Sequence, residues 1–98
     1  MNFETILSAV TAQAANVAPF GAKLKFVLGE DVILIDGSGD SNVVSTEDAD
    51  AACSIITDTD TFTKLKNGEL NPMMVVMSGK VKIKGDMGLA MKLQSLIQ

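Results

Sequence analysis

Ninety-eight residues make one small domain, 1–98, with room for a core but not for a catalytic domain beside a separate binding domain. Eight lysines against twelve carboxylates give a net charge of −4, and arginine, histidine, tyrosine and tryptophan are all missing. That composition argues against nucleic-acid partners, histidine-based catalysis and most transition-metal sites.

In "NFETILSAVTAQAANV" the apolar residues Phe3, Ile6, Leu7, Val10, Ala14 and Val17 recur at helical spacing. Asn2 can cap that helix, and Pro19 with Gly21 stops it. The polar face carries only Glu4, so it lacks the cations of a membrane-surface helix and reads as a helix on a core. "KLKFVL" alternates Lys23 and Lys25 with Leu24, Phe26 and Leu28, "GED" turns, and "VILID" returns as a branched apolar run, which is a hairpin pattern. A second turn, "DGSGD", leads into "SNVVST" and completes a three-stranded meander.

After the acidic loop "EDADAA", "CSIITD" supplies a fourth strand. "DTFTKLKNGEL" reads as a short helix closed by Gly68, and "NPMMVVMSG" as another, with Asn71 at its cap, Pro72 in its first turn and Gly79 at its end. "KVKIK" alternates Lys80, Lys82 and Lys84 with Val81 and Ile83 as a half-buried fifth strand, and a last helix follows from Gly85 to Gln98. The order predicts an α+β domain: a five-stranded, mostly antiparallel sheet with helices layered on one face.

Asp36, Ser38, Asp40 and Glu47 fall at calcium-loop positions, but Ser41 stands where glycine is required and strands flank the segment. Gly37 and Gly39 serve a hairpin turn there instead. "GDMG" opens a helix after a strand, and Asp86 is placed to cap that helix rather than to leave room for an anion. The chain has no histidine or arginine to lower the pKa of Cys53, which reads as a small core residue; alone, it requires no oxidising compartment. Asp58 and Asp60 read as cap and turn groups. The uncharged run from Thr5 to Ala22 lacks both the basic start of a signal peptide and the apolar density of a membrane span, so the chain reads as cytoplasmic.

Five of the six methionines, Met73, Met74, Met77, Met87 and Met91, lie in the last third. On the last helix Leu89, Ala90, Leu93, Leu96 and Ile97 make one stripe, and Met87 and Met91 fall outside it. Two readings fit: a broader buried stripe, or a flexible lining for a ligand.

The run "LKNGELNPMMVVMSGKVKIKGDMGLAMKLQSL" resembles the sterol carrier protein type 2 family of lipid-binding domains. The resemblance rests on Gly68, Leu70, Pro72, Gly79, Lys80, Lys82, Ile83, Gly85 and the block from Met87 to Leu93, with weaker similarity back through "DADAACSIIT". It implies an apolar tunnel between sheet and helices that holds a fatty acid, acyl-CoA, sterol or similar amphiphile without catalysis, metal or cofactor. On that reading Phe62, Leu65, Met74, Met77, Ile83, Met87, Met91 and Leu96 surround the lipid. The chain lacks the Ser-Lys-Leu-like peroxisomal tail of animal members, which points to a compact stand-alone form of bacterial type. A first helix without lysine limits membrane contact to a transient one. The alternative is an interaction module whose apolar surface docks a partner enzyme or a second copy.

Overall fold

The computed structural model describes residues 2–92, apart from the side chains of residues 72 and 73. Its elements run α1 (Phe3–Ala14), β1 (Lys23–Leu28), β2 (Asp31–Asp36), β3 (Val43–Ser45), β4 (Cys53–Thr57), α2 (Thr59–Lys66), α3 (Pro72–Met77), β5 (Lys82–Gly85) and α4 (Met87–Lys92).

Local chemistry explains where the elements start. Asn2 is the N-cap of α1, its side chain accepting the Thr5 N–H at 2.8 Å. Asp58 does the same for α2 through Thr61, and Gly68 follows that helix at φ 76°, a conformation open to glycine. The hairpin β1–β2 turns at Gly29, φ 65°.

The sheet order is β3-β2-β1-β4-β5. Strands β1, β2 and β3 form the antiparallel meander that alternation implies, and β5 lies antiparallel on β4. The central pair, β1 with β4, is parallel, with Leu24 opposite Cys53 and Phe26 opposite Ile55. The sheet is therefore mixed, and three of its four pairings are antiparallel.

The register puts Leu24, Phe26 and Leu28 on the same face as Ile33, Ile35, Cys53 and Ile55. On that face the helices contribute Ile6, Val10 and Ala14 from α1, Phe62 and Leu65 from α2, Val75 from α3, and Leu89 and Ala90 from α4 to one core. The opposite face carries Lys25, Leu34, Ser45 and Lys82. The connection from β3 to β4 crosses this face, since Asp48 meets Lys25 at 2.9 Å, and Leu34 beside it is 4% exposed.

The fifth strand starts two residues later than its alternation predicts. Gly79, at φ 82°, ends α3, and the amides of Lys80 and Val81 both donate to the Val75 carbonyl, at 3.0 and 3.2 Å. Those amides are committed to the helix end and cannot join the sheet. The predicted extension of the last helix through Leu93, Leu96 and Ile97 lies outside the described residues.

Candidate functional site

The surface of interest begins where β5 hands over to α4. Gly85 has φ 100°, and a Cβ placed there would lie 2.1 Å from the Ala52 carbonyl oxygen. Only glycine permits that approach, which brings the Asp86 N–H onto the same oxygen at 3.0 Å. Asp86 Oδ1 then accepts the N–H groups of Gly88 and Leu89, at 2.8 and 3.3 Å, and caps α4 as its sequence position predicts.

With α4 held at that angle, Leu89 and Ala90 point into the core, while Met87 and Met91, one turn apart, stand 56% and 71% exposed. The broader buried stripe is thus not what α4 presents.

The facing wall comes from the turn after α1. Asn42, in the β2–β3 connection, donates its side-chain amide to the carbonyls of Ala14, Val17 and Ala18, at 3.3, 3.1 and 3.2 Å. That single side chain ties the end of α1 to the hairpin. Gly37 completes the joint: a Cβ there would sit 2.5 Å from Asn42 Oδ1 and 2.7 Å from the Phe20 nitrogen.

Between the two walls lies a groove of about 400 Å³ lined by Val17, Ala18, Pro19, Phe20, Met91 and Lys92. The volume falls in the range of small-molecule sites, and among the described residues the lining is aliphatic and aromatic except for Lys92. Such a surface can take up apolar chain, and the described lining residues include no paired acid and base.

The residues named from the sequence divide into three groups. Phe62 and Leu65 are buried in the core, with the Phe62 ring edge-on to Phe26 at a centroid distance of 5.2 Å, and Ile83 packs half-buried beside them. Met87 and Met91 share the open face of α4, and Met91 lines the groove. Met74 and Met77, at 65% and 81% exposure, face solvent on α3. Leu96 lies outside the described residues.

None of Val17, Ala18, Pro19, Phe20 and Lys92 is read from the sequence as a site residue: Val17 falls in the apolar pattern of the first helix, which ends at Ala14, and Pro19 at its stop. The available signal was Phe20, one of only four phenylalanines, placed in a connection rather than in an element.

Cys53 and Asp36 take structural roles. Burial, and secondarily the Asp86 carboxylate, pushes the Cys53 thiol up, so this buried side chain stays protonated. The Ser38 hydroxyl and backbone N–H hold the Asp36 carboxyl below its usual range within the hairpin turn. Among the described residues there is no cluster of three potential metal ligands, and no helix is long and apolar enough to cross a membrane.

Comparison with known proteins places this arrangement. The model of the SCP-2 sterol transfer family matches residues 3–98. Human sterol carrier protein 2 is 42% identical over 59 residues, which is 60% of this chain and 11% of that protein. Human hydroxysteroid dehydrogenase-like protein 2 is 48% identical over 52 residues, 53% of this chain and 12% of that protein. The chain thus spans about a tenth of the length of these curated relatives. The structure of palmitated SCP2L2 from Aedes aegypti superimposes with a TM-score of 0.70 at 20% identity, covering 100% of this chain and 96% of the other.

Proposed function

The chain belongs to the SCP-2 sterol transfer family, and from that membership we propose that it carries a single lipid, a fatty acid, acyl-CoA or sterol-like amphiphile, in an apolar site between its helices and sheet. The observation that carries the reading is the groove lined by Phe20 and Met91. A lipid entering there would run inward toward Phe62, Leu65 and Ile83, with Met87 covering it from the same face of α4. Methionine suits this position because its unbranched thioether adapts to chains of different shape.

Burying about a dozen methylenes at ~0.8 kcal/mol each contributes a gross ~10 kcal/mol. Ordering and association costs reduce this to micromolar-to-nanomolar affinity, as a carrier that must also release its cargo requires. The reading assigns the chain no reaction of its own. It has no histidine, and its one thiol is buried and protonated. The dehydrogenase-like name belongs to a much longer relative.

The test is displacement of a fluorescent fatty acid by palmitate. Met91→Lys places a charge in the groove and should weaken binding more than tenfold, while Ser8→Lys, on the exposed side of α1, should leave it unchanged. Unchanged binding by a folded Met91→Lys protein would remove the groove from the reading. Failure of the unaltered protein to take up palmitate, acyl-CoA or sterol, together with a stable dimer in light scattering, would favour a partner-docking module instead.

A further inference from the structure

The chain holds two kinds of sulfur, and the fold exposes them very differently. Cys53 is 0% exposed in the core, where burial keeps its thiol in the protonated, unreactive form. Met87 and Met91 stand 56% and 71% exposed on the open face of α4, and Met91 lines the groove. A thioether carries no proton to lose and needs no activating neighbour, so exposure decides which of these sulfurs a peroxide reaches. Met74 and Met77, 65% and 81% exposed on α3, are as open but do not line the groove. They form a comparison within the same molecule.

Oxidation on α4 spares the fold. That helix is fixed by Leu89 and Ala90, 8% and 7% exposed in the core, and by Asp86, whose carboxylate accepts the N–H groups of Gly88 and Leu89. Both thioethers lie outside these attachments. The groove is not spared. Across from Met91 stand Val17, Ala18, Pro19 and Phe20, and none of those side chains carries a hydrogen-bond donor. The carbonyls of Val17 and Ala18 are acceptors, already bonded to Asn42. A sulfoxide oxygen is hydrated in the empty groove; an acyl chain laid against it strips that water and leaves a strongly polar acceptor without a partner.

We propose that Met91, with Met87 one turn before it, is a peroxide-modified site that turns lipid binding off in the empty protein. The inference rests on the carrier reading given above. A sulfur lone pair attacks one peroxide oxygen, and the O–O bond breaks as the S–O bond forms. The hydroxide that leaves collects the proton of the transferred oxygen and becomes water. Sulfur gives up two electrons and hydrogen peroxide accepts them, so no further reactant enters. A bound acyl chain covers Met91, which protects loaded molecules and leaves the empty ones to be withdrawn.

The test treats the protein with hydrogen peroxide and follows displacement of a fluorescent fatty acid by palmitate. Cleavage after lysine releases residues 85–92, with Met87 and Met91 as their only methionines, and residues 67–80, with Met73, Met74 and Met77. Mass spectrometry then counts the oxygen added to each group. Peroxide should oxidise both peptides in the empty protein. Saturating palmitate should slow oxidation of 85–92 severalfold and leave 67–80 unchanged. Full oxidation should raise the palmitate Kd more than tenfold with thermal unfolding unchanged. The two methionine sulfoxide reductases, one for each sulfoxide epimer, should restore it. Treatment should not change the Kd of the protein carrying Met87→Leu and Met91→Leu, whatever its starting value. It should weaken the protein carrying Met74→Leu and Met77→Leu as much as the parent.

Unchanged palmitate binding by a protein oxidised in 85–92 overturns the proposal. So does equal oxidation of that peptide in empty and loaded protein, a loss of binding that follows unfolding, or a loss that the two leucines on α4 do not prevent. An untreated protein that takes up no palmitate fails the carrier reading, and this inference with it. The two failures are therefore read in different samples.

Discussion

The Oδ1 of Asp58 accepts the Thr61 N–H at 2.6 Å, and the Asp58 carbonyl accepts the Phe62 N–H at 3.0 Å, so one residue sets the start of α2. The Thr61 backbone and then its hydroxyl hold this carboxyl below its ordinary value of 3.8. The folded state therefore favours the ionised form. The stabilisation is complete above the unfolded value and is lost as pH falls through the lower folded one. Asp58→Ala should cost about 1 kcal/mol in urea unfolding at neutral pH. The gap between variant and parent should close on acidification below pH 3.8. Residues of this kind, Asn2, Asp58 and Asp86, were legible in the sequence because capping is decided within four residues. Cys53 was legible for another reason: a lone thiol in a chain without histidine or arginine is most stable in the core.

At the scale of elements, Gly85 links β5 to α4 through a joint that admits no side chain. Gly85→Ala adds a Cβ 2.1 Å from a backbone oxygen at a φ of 100°, and backbone cannot retreat as a side-chain tip can. It should destabilise the fold by roughly 2–4 kcal/mol, measured by urea unfolding. Fatty-acid binding should fall with it, since α4 carries Met91 into the groove. The helices and the meander were readable because their periodicities, 3.6 and 2, are local. The parallel seating of β4 on β1 was not, because the choice of neighbour is made across a crossover that leaves no periodic mark. The groove was half legible for the same reason. Met91 stood out as apolar beyond a complete stripe, but Phe20 meets it only because Asn42 folds the end of α1 toward the hairpin.

For the molecule as a whole, the 47% of hydrophobic residues is divided between a core and a remainder left outside it. Saturating palmitate should therefore act on global stability and not only on the groove. A ligand at a hundred times its Kd adds about 2.7 kcal/mol, which for a domain of this size raises Tm by roughly ten degrees or more. Scanning calorimetry with and without palmitate checks this; an unmoved Tm at saturating concentration would contradict the carrier reading. The central parallel pair has one more consequence, for synthesis on the ribosome. Leu28 completes β1, but its partner β4 is not finished until Thr57 emerges, roughly two to six seconds later at ordinary elongation rates. During that interval the middle strand of the future sheet has one open edge bearing Lys23 and Lys25. Lysine is the residue that keeps such an edge from pairing with a neighbouring nascent chain.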